Sequence, residues 1–385
     1  MRIAIVTETW PPEVNGVALT VQGLVAQLGA QGHQIDLIRP RPGDPQAAAT
    51  PFAAATPWLD ELLVGGAALP RYPGLRIGLP AGGALRERWT RARPEALYVA
   101  TEGPLGWSAL KVAQSLGIAS ATGFHTRFDD FAKHYGAAWL TPLVFAWLRR
   151  FHNHAQATLV ATEELLEFLR ARGFSQVLKL ARGVDTAQFS PAHRDSQLRA
   201  RWGVDDAGLV VVHVGRLAPE KNLGLLFRAF RAVQTRQPAA KLVVVGDGPS
   251  KAAFASANPD VIFTGTLRNQ ELARHFASGD LFVFPSLTET FGNVTLEAMA
   301  SGVPVVAFDY GAAREHLRHR TDGMAVAVGN DDALIEATQA LADLASVRRA
   351  MGAAACARVA PLNPARVAAD LAGLLASLKA PRKAA

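Results

Sequence analysis

The chain has 385 residues, 49% hydrophobic and 19% charged, with a net charge of +7, a length that accommodates two domains with separate cores. The excess of Lys and Arg is spread over both halves and comes without zinc-finger spacing or an aromatic-glycine RNA motif, which speaks against a nucleic-acid binder and fits anionic small molecules or an anionic membrane surface. The single Cys356 excludes an internal disulfide and a multi-cysteine metal site, so a reducing, cytoplasmic setting is expected.

Residues 2–7 form a short β-branched run, followed by a turn-rich loop, a helical pattern over 17–31 and a second strand over 34–39. This strand–helix–strand opening shows no signal-peptide pattern. Residues 40–70 are rich in Ala, Pro and Gly and are expected to form an irregular connection. Further strands are expected at 96–100, 118–123, 157–161 and 177–181, with helices between them, which implies a mostly parallel sheet covered on both faces. A Pro-containing polar stretch near 182–199 breaks the alternation. It restarts at 209–215, 241–246, 261–265, 281–285, 303–308 and 324–328. The fold class is therefore α/β, with two doubly wound parallel-sheet domains of Rossmann type. The expected organisation is a domain over 1–185, a linker over 186–200, a second domain over 201–362, and a helix within 363–385 that packs back on the first domain while the last seven residues fray. Ligands are expected at the carboxyl edges of the strands, in a central cleft.

Several strand-to-helix loops carry candidate chemistry. The loop Glu8-Thr-Trp-Pro-Pro-Glu-Val-Asn-Gly16 enters the first helix, and Gly16 would let a phosphate approach its amino end; an Asn-Gly turn required only by sterics is the alternative. It is not the GxGxxG dinucleotide fingerprint. Arg216 and Lys221 flank the equivalent turn of the second domain, where a guanidinium and an ammonium suit a diphosphate. Gly246 and Gly248 are expected to make room for a ligand or a neighbouring loop, and Thr264-Gly265 to line a base pocket. His125, in Gly123-Phe-His-Thr126-Arg127, follows a strand, where it either orients substrate or holds a backbone group. Glu289 and Glu297 bracket a Gly292-Asn293 turn at the start of a helix. By spacing alone they read as a loop acid and a first-turn acid complementing the helix dipole, or as two ligand-binding carboxylates in one cleft.

Taken together, the Glu-Val-Asn-Gly16 loop, His125-Thr126, Arg182-Gly-Val-Asp185 with Phe189, Gly215-Arg216 with Lys221-Asn222, Gly246-Asp-Gly-Pro249 and Glu289-x7-Glu297 resemble the retaining nucleotide-sugar glycosyltransferases of family four, which have the GT-B fold. The resemblance spans nearly the whole chain. It implies that Glu289 contacts donor-sugar hydroxyls, that the backbone of Phe291, Gly292, Asn293 and Val294 approaches the sugar and diphosphate, and that Glu297 binds the ribose. It also implies that Arg216 and Lys221 neutralise the leaving diphosphate, with Gly16 near its distal end and His125 close to the transferred sugar. Arg182 departs from the neutral residue common at that place in the family, and its role is left open.

No Asp-x-Asp motif occurs, so no metal cofactor is expected and the two cations would take its place. A glycosidase-style carboxylate pair is the competing chemistry. Within the family the sequence looks most similar to bacterial mannosyltransferases and sulfoquinovosyltransferases acting on lipids. The expected function is transfer of a hexose, mannose favoured, from a GDP- or UDP-sugar to a lipid or glycan. Alternatives are a UDP-sugar-dependent glucosyl or sulfoquinovosyl glycolipid synthase, a nucleotide-sugar epimerase and a non-catalytic nucleotide-sugar sensor. Two features point to peripheral membrane contact: the arginines at 71, 76, 86, 88, 91 and 93, and the apolar stretch 139–148 ending in Arg149 and Arg150. That stretch is shorter than the ~18 residues of a membrane span.

Overall fold

Strand β1 (Arg2–Val6) is buried from its second residue onward, because Ile3, Ala4, Ile5 and Val6 face helices on both sides of a central sheet position. The computed structural model describes residues 1–11, 13, 16–43, 56–68, 76–125 and 141–378. The chain divides into two compact units, Met1–Gly183 with Pro364–Ala385, and Val184–Asn363.

In the first unit, β1 leads through α1 (Gly16–Ala30) to β2 (Gln34–Pro40), β3 (Leu59–Val64), β4 (Gly66–Ala68) and β5 (Arg76–Gly78). Helix α2 (Gly82–Arg91), β6 (Ala96–Val99), α3 (Pro104–Leu116) and β7 (Ala119–Gly123) follow, then α4 (Thr141–His152), β8 (Ala157–Val160), α5 (Glu163–Arg170) and β9 (Val177–Lys179). The seven-stranded sheet runs β3-β2-β1-β6-β7-β8-β9 with every pairing parallel. The order reverses between β1 and β6, which makes the mouth of that pair a topological switch point.

Local signals explain the helix ends. Pro104 opens α3 and Gly117, at φ 65°, closes it in the left-handed region. Thr162 caps α5 by accepting the Leu165 N–H at 3.2 Å. Asp36, fully enclosed in the core, accepts from Arg88 Nε at 2.7 Å and Trp89 Nε1 at 3.0 Å, tying α2 to β2.

The irregular connection expected over 40–70 is corrected by β3 and β4. Leu59-Asp-Glu-Leu-Leu-Val pairs in register with residues 35–40 as the edge strand, and β4 forms an antiparallel ribbon with β5. Its burial lacks the alternation of a half-buried strand because its position is stabilised by pairing at the sheet's edge.

The second unit contains α6 (Ser196–Arg201), β10 (Val210–Val214), α7 (Leu223–Gln234), β11 (Lys241–Val245), α8 (Lys251–Ala257), β12 (Ile262–Gly265), α9 (Asn269–Ala277) and β13 (Leu281–Phe284). It continues with α10 (Asn293–Ala300), β14 (Val305–Phe308), α11 (Gly311–His316), β15 (Gly323–Val326), α12 (Asp331–Asp343) and α13 (Ala345–Val359). Its sheet, β12-β11-β10-β13-β14-β15, is again wholly parallel, with a switch point between β10 and β13. Residues 186–200 lie within this unit. Arg199, completely buried, donates to Asp280 Oδ2 at 2.9 Å and to the carbonyls of Ser278, Asp205 and Gly208, fastening α6 to the sheet. The last helix, α14 (Pro364–Ser377), belongs to the first unit, where it packs on α1 and buries Val367, Leu371 and Leu375. The expected fraying of residues 379–385 lies outside the described residues.

Candidate active site

At the mouth of the β10/β13 switch, two loops are bonded to each other. The loop after β10 passes through Arg216 and a 3₁₀ turn, Pro219–Lys221, into α7; the loop after β13 holds Ser286 and Glu289. The Leu287 N–H donates to the Glu220 carbonyl at 2.9 Å, joining the two. Across this junction Lys221 Nζ donates to Glu289 Oε1, which also accepts from Ser286 Oγ at 2.9 Å. Lys221 and Glu289 are only 14% and 16% exposed, so the pair is shielded from bulk water and each group fixes the other. The Lys221 ammonium also lies 5.7 Å from the Phe284 ring centroid. Arg216 is bonded to Glu220 at 2.8 Å and keeps nearly half its surface open.

Helix α10 starts beside Glu289. A Cβ added at Gly292 would stand 3.5 Å from Glu289 Cγ, and Gly292 takes φ 91°, a conformation that costs a side chain strain. No side chain caps α10, so the first-turn N–H groups at Asn293 and Val294 form a helix amino end suited to a diphosphate or sugar oxygen. The Phe291 carbonyl is occupied by the Ala312 N–H at 2.7 Å. The carboxyl of Glu297, half-buried one turn into α10, has no hydrogen-bond partner among the described residues, and burial pushes it up to about 7.

Gly246 and Gly248 make room for protein. A Cβ at Gly246 would meet the Gly215 carbonyl oxygen at 1.9 Å and one at Gly248 the Leu217 oxygen at 2.4 Å. The Gly246 turn thus braces the segment that presents Arg216, and the Gly246 N–H donates to the Gly265 carbonyl at the end of β12.

In the first unit, His125 follows β7 and is enclosed by Tyr98 from β6 and Arg182 from beyond β9. Arg182 Nη2 lies 2.5 Å from His125 Nδ1, and Tyr98 Oη 2.8 Å from Nε2. Arginine only donates, so Nδ1 accepts and the neutral ring carries its hydrogen on Nε2, donating to the tyrosine. Burial, the Arg182 charge and then His152 hold the His125 ring well below the usual histidine range, consistent with that neutral tautomer. Arg182 is thereby assigned a contact: it fixes the tautomer of His125. Gly123 is required here, since a Cβ would stand 2.3 Å from Tyr98 Oη. Thr126 and Arg127 lie outside the described residues, as do Val14 and Asn15, whereas Gly16 is the exposed first residue of α1.

Sequence inspection overlooked Tyr98, Glu102, Ser286 and Glu8. Glu8 accepts the Leu105 N–H at 3.1 Å at the amino end of α3, and burial raises its carboxyl to about 7. Its place directly after β1 was the available signal. Among the clustered arginines, Arg76, Arg86, Arg88, Arg91 and Arg93 all have intramolecular partners, while Arg71 lies outside the described residues.

Two parallel-sheet units of Rossmann type, the second with cations and a carboxylate at its switch point, define the GT-B class of glycosyltransferases. The chain belongs to the glycosyltransferase family 4 group. Residues 14–188 match the family model described as Glycosyltransferase Family 4, and residues 208–343 the model described as Glycosyl transferases group 1. It is 34% identical over 358 residues to a GDP-mannose-dependent alpha-mannosyltransferase of Mycolicibacterium smegmatis, covering 92% of each chain. It is 30% identical to a sulfoquinovosyl transferase of Arabidopsis thaliana, over 80% of this chain and 59% of that one. Among solved structures, the sucrose-phosphate synthase of Thermosynechococcus elongatus superposes with a TM-score of 0.79 at 20% identity, covering 97% of this chain and 98% of the other. The protein is an enzyme that moves a sugar from a nucleotide sugar to an acceptor.

Proposed function

We propose that this enzyme is a retaining, metal-independent mannosyltransferase that takes its sugar from GDP-mannose and delivers it to a lipid or lipid-linked glycan. The observation that carries the donor site is the shielded Lys221–Glu289 pair beside the uncapped start of α10. When the sugar–phosphate bond breaks, positive charge grows on the sugar and negative charge on the departing diphosphate. Lys221, Arg216 and the N–H groups of Asn293 and Val294 supply fixed positive potential for the diphosphate, which is the work a divalent ion would otherwise do. Glu289, held by Lys221 and Ser286, binds sugar hydroxyls, and Glu297 accepts from the ribose diol. The leaving phosphate takes the acceptor proton, so no enzymic base is required for front-face attack.

The curated relatives named as GDP-mannose-dependent support the choice of base and sugar. Glycolipid synthases among the relatives support a lipid acceptor. In the first unit α4 supports membrane contact: Leu143 and Trp147 are 67% and 41% exposed beside exposed Arg149 and Arg150, while Leu148 and Phe151 anchor the other face. Residues 139–140 of the apolar stretch lie outside the described residues. No helix among the described residues is long and apolar enough to cross a membrane.

The test is a screen of GDP- and UDP-sugars against extracted lipids and soluble glycans, read by mass spectrometry with and without a chelator. Chelator-insensitive mannosylation of a lipid, with the α-anomer in the product by NMR, is the expected result. Donor binding without acceptor-dependent consumption would overturn the transferase mechanism. A UDP-sugar preference would replace the mannose assignment with the glycolipid-synthase alternative.

A further inference from the structure

Several guanidinium groups withdrawn from water in this chain meet carboxylates: Arg39 reaches Glu61 at 2.6 Å, Arg88 reaches Asp36 at 2.7 Å and Arg199 reaches Asp280 at 2.9 Å. Arg182 has no carboxylate partner among the described residues. Its Nη2 donates to the neutral His125 ring at Nδ1, its Nε is enclosed without a partner, and its Nη1 has none among the described residues. We propose that Arg182 binds a monoanionic group of the acceptor, a sugar carboxylate or a phosphodiester, and so selects acidic acceptors over neutral ones.

The position suits a ligand. Arg182 stands just beyond β9 and His125 just beyond β7, and the strand order β7-β8-β9 makes the guanidinium reach over the carboxyl end of β8. Carboxyl ends of parallel strands are where open α/β sheets take their ligands. Arg182 and His125 both keep partial exposure, while Tyr98, which holds His125 Nε2, is buried. Burial lowers the Arg182 guanidinium from its usual range, and the opposing influence comes from Tyr98. That hydroxyl is no counter-ion: burial raises it in turn, against the pull of Arg182, and Glu102 adds to the rise. The Glu102 carboxylate itself faces His152 Nε2 at 3.4 Å. The first unit thus holds a partly desolvated positive charge with no neutralising partner among its described residues, a costly state that an anion relieves.

The surroundings set the charge of the ligand and decide which substrate carries it. One guanidinium beside the neutral His125 and Tyr98 matches one negative charge, and its remaining N–H groups can serve two oxygens of the same group. On the proposed reading the leaving diphosphate meets Arg216 and Lys221 in the second unit and the transferred mannose is uncharged, so the anion belongs to the acceptor. The inference rests on that reading and names a chemical feature of the acceptor. An arginine that served only to fix the tautomer of His125 would need a donor and not a charge. Arg182→Gln separates the two roles, since it keeps an amide N–H and removes the charge.

The test uses matched pairs titrated into the full chain at low salt and read by saturation-transfer NMR. Methyl β-D-glucopyranosiduronate and methyl β-D-glucopyranoside differ by a carboxylate against a hydroxymethyl group; glycerophosphoinositol and myo-inositol differ by a phosphodiester. The anionic member of one pair should bind about tenfold more tightly than its neutral counterpart, and that pair identifies the source of the charge. Arg182→Gln should abolish the preference and Arg182→Lys should restore part of it, with circular dichroism checking that each variant is folded. The comparison within the parent needs no variant at all. Equal binding within both pairs, a preference that survives Arg182→Gln, or displacement of the anionic member by an equal concentration of sodium sulfate would overturn the assignment. Arg182-dependent consumption of UDP-glucuronate would move the anion to the donor and overturn it as well. Transfer from GDP-mannose separates the two failures: consumption with the neutral compounds at least equal to that with the anionic ones leaves the transferase and removes the selection, whereas Arg182-dependent anion binding without donor consumption on extracted lipids counts against the transferase reading and leaves the site standing.

Discussion

Replacing Lys221 with methionine separates the structural from the chemical contribution of the ion pair at the donor site. The substitution keeps an unbranched side chain of similar length and leaves Glu289 with the Ser286 hydroxyl, at 2.9 Å, as its remaining side-chain donor. Breaking a buried pair from one side costs about 3–5 kcal/mol. Because both groups retain some exposure and Ser286 still donates, the expected loss is about 2–3 kcal/mol, or roughly 4–12 °C in Tm for a unit of this size. The double variant Lys221→Met/Glu289→Gln removes both charges, and its stability should return to within about 1 kcal/mol of the parent. Its turnover should not return. Donor consumption in both variants should remain at least about tenfold below the parent, ~1.4 kcal/mol at the transition state, on the proposed reading that Lys221 neutralises the leaving diphosphate. Urea unfolding followed by circular dichroism and nucleotide release with GDP-mannose are the two assays. A double variant no more stable than the single would show that the charges are not coupled. Restored turnover in the double variant would show that Lys221 acts only by neutralising Glu289.

Two further outcomes follow from the second unit. Burial raises the Glu297 carboxyl from its ordinary 4.5 to about 7; with the ribose hydroxyls donating to it as proposed, the ionised form is the stronger acceptor, so nucleotide-sugar affinity should rise with pH up to about 7 and level off above it. The same group makes stability fall as pH rises between about 4.5 and 7, because over that window the folded chain holds a proton the unfolded chain has lost; Glu297→Gln should flatten both profiles, measured by calorimetry and urea unfolding, and an unchanged pH profile would refute the assignment. Gly246→Ala should cost about 2–4 kcal/mol in urea unfolding, since Gly246 takes φ 138° and the new methyl collides with the backbone oxygen of Gly215, whereas Gly224→Ala in α7, with nothing within 4 Å, should be neutral or stabilising; equal effects would show that the Gly246 turn yields.

The sequence by itself determined the doubly wound architecture, because short buried strands alternating with helices admit few parallel topologies. It also marked Arg216, Lys221, Gly292 and Glu289, since turn chemistry at strand ends is written in consecutive residues. The edge strand β3 was not legible: an edge strand need not alternate, and its neighbours are rich in Ala, Pro and Gly. Only the tertiary structure decided which partners these groups have. The Lys221–Glu289 bond joins residues 68 positions apart, and the contact between Arg182 and His125 joins residues 57 apart. Spacing along a chain carries no information about such meetings. They exist because parallel strands deliver distant segments to the same sheet edge. There burial, and not residue type, leaves the Glu297 carboxyl without a hydrogen-bond partner among the described residues, His125 neutral, and Glu289 held in place.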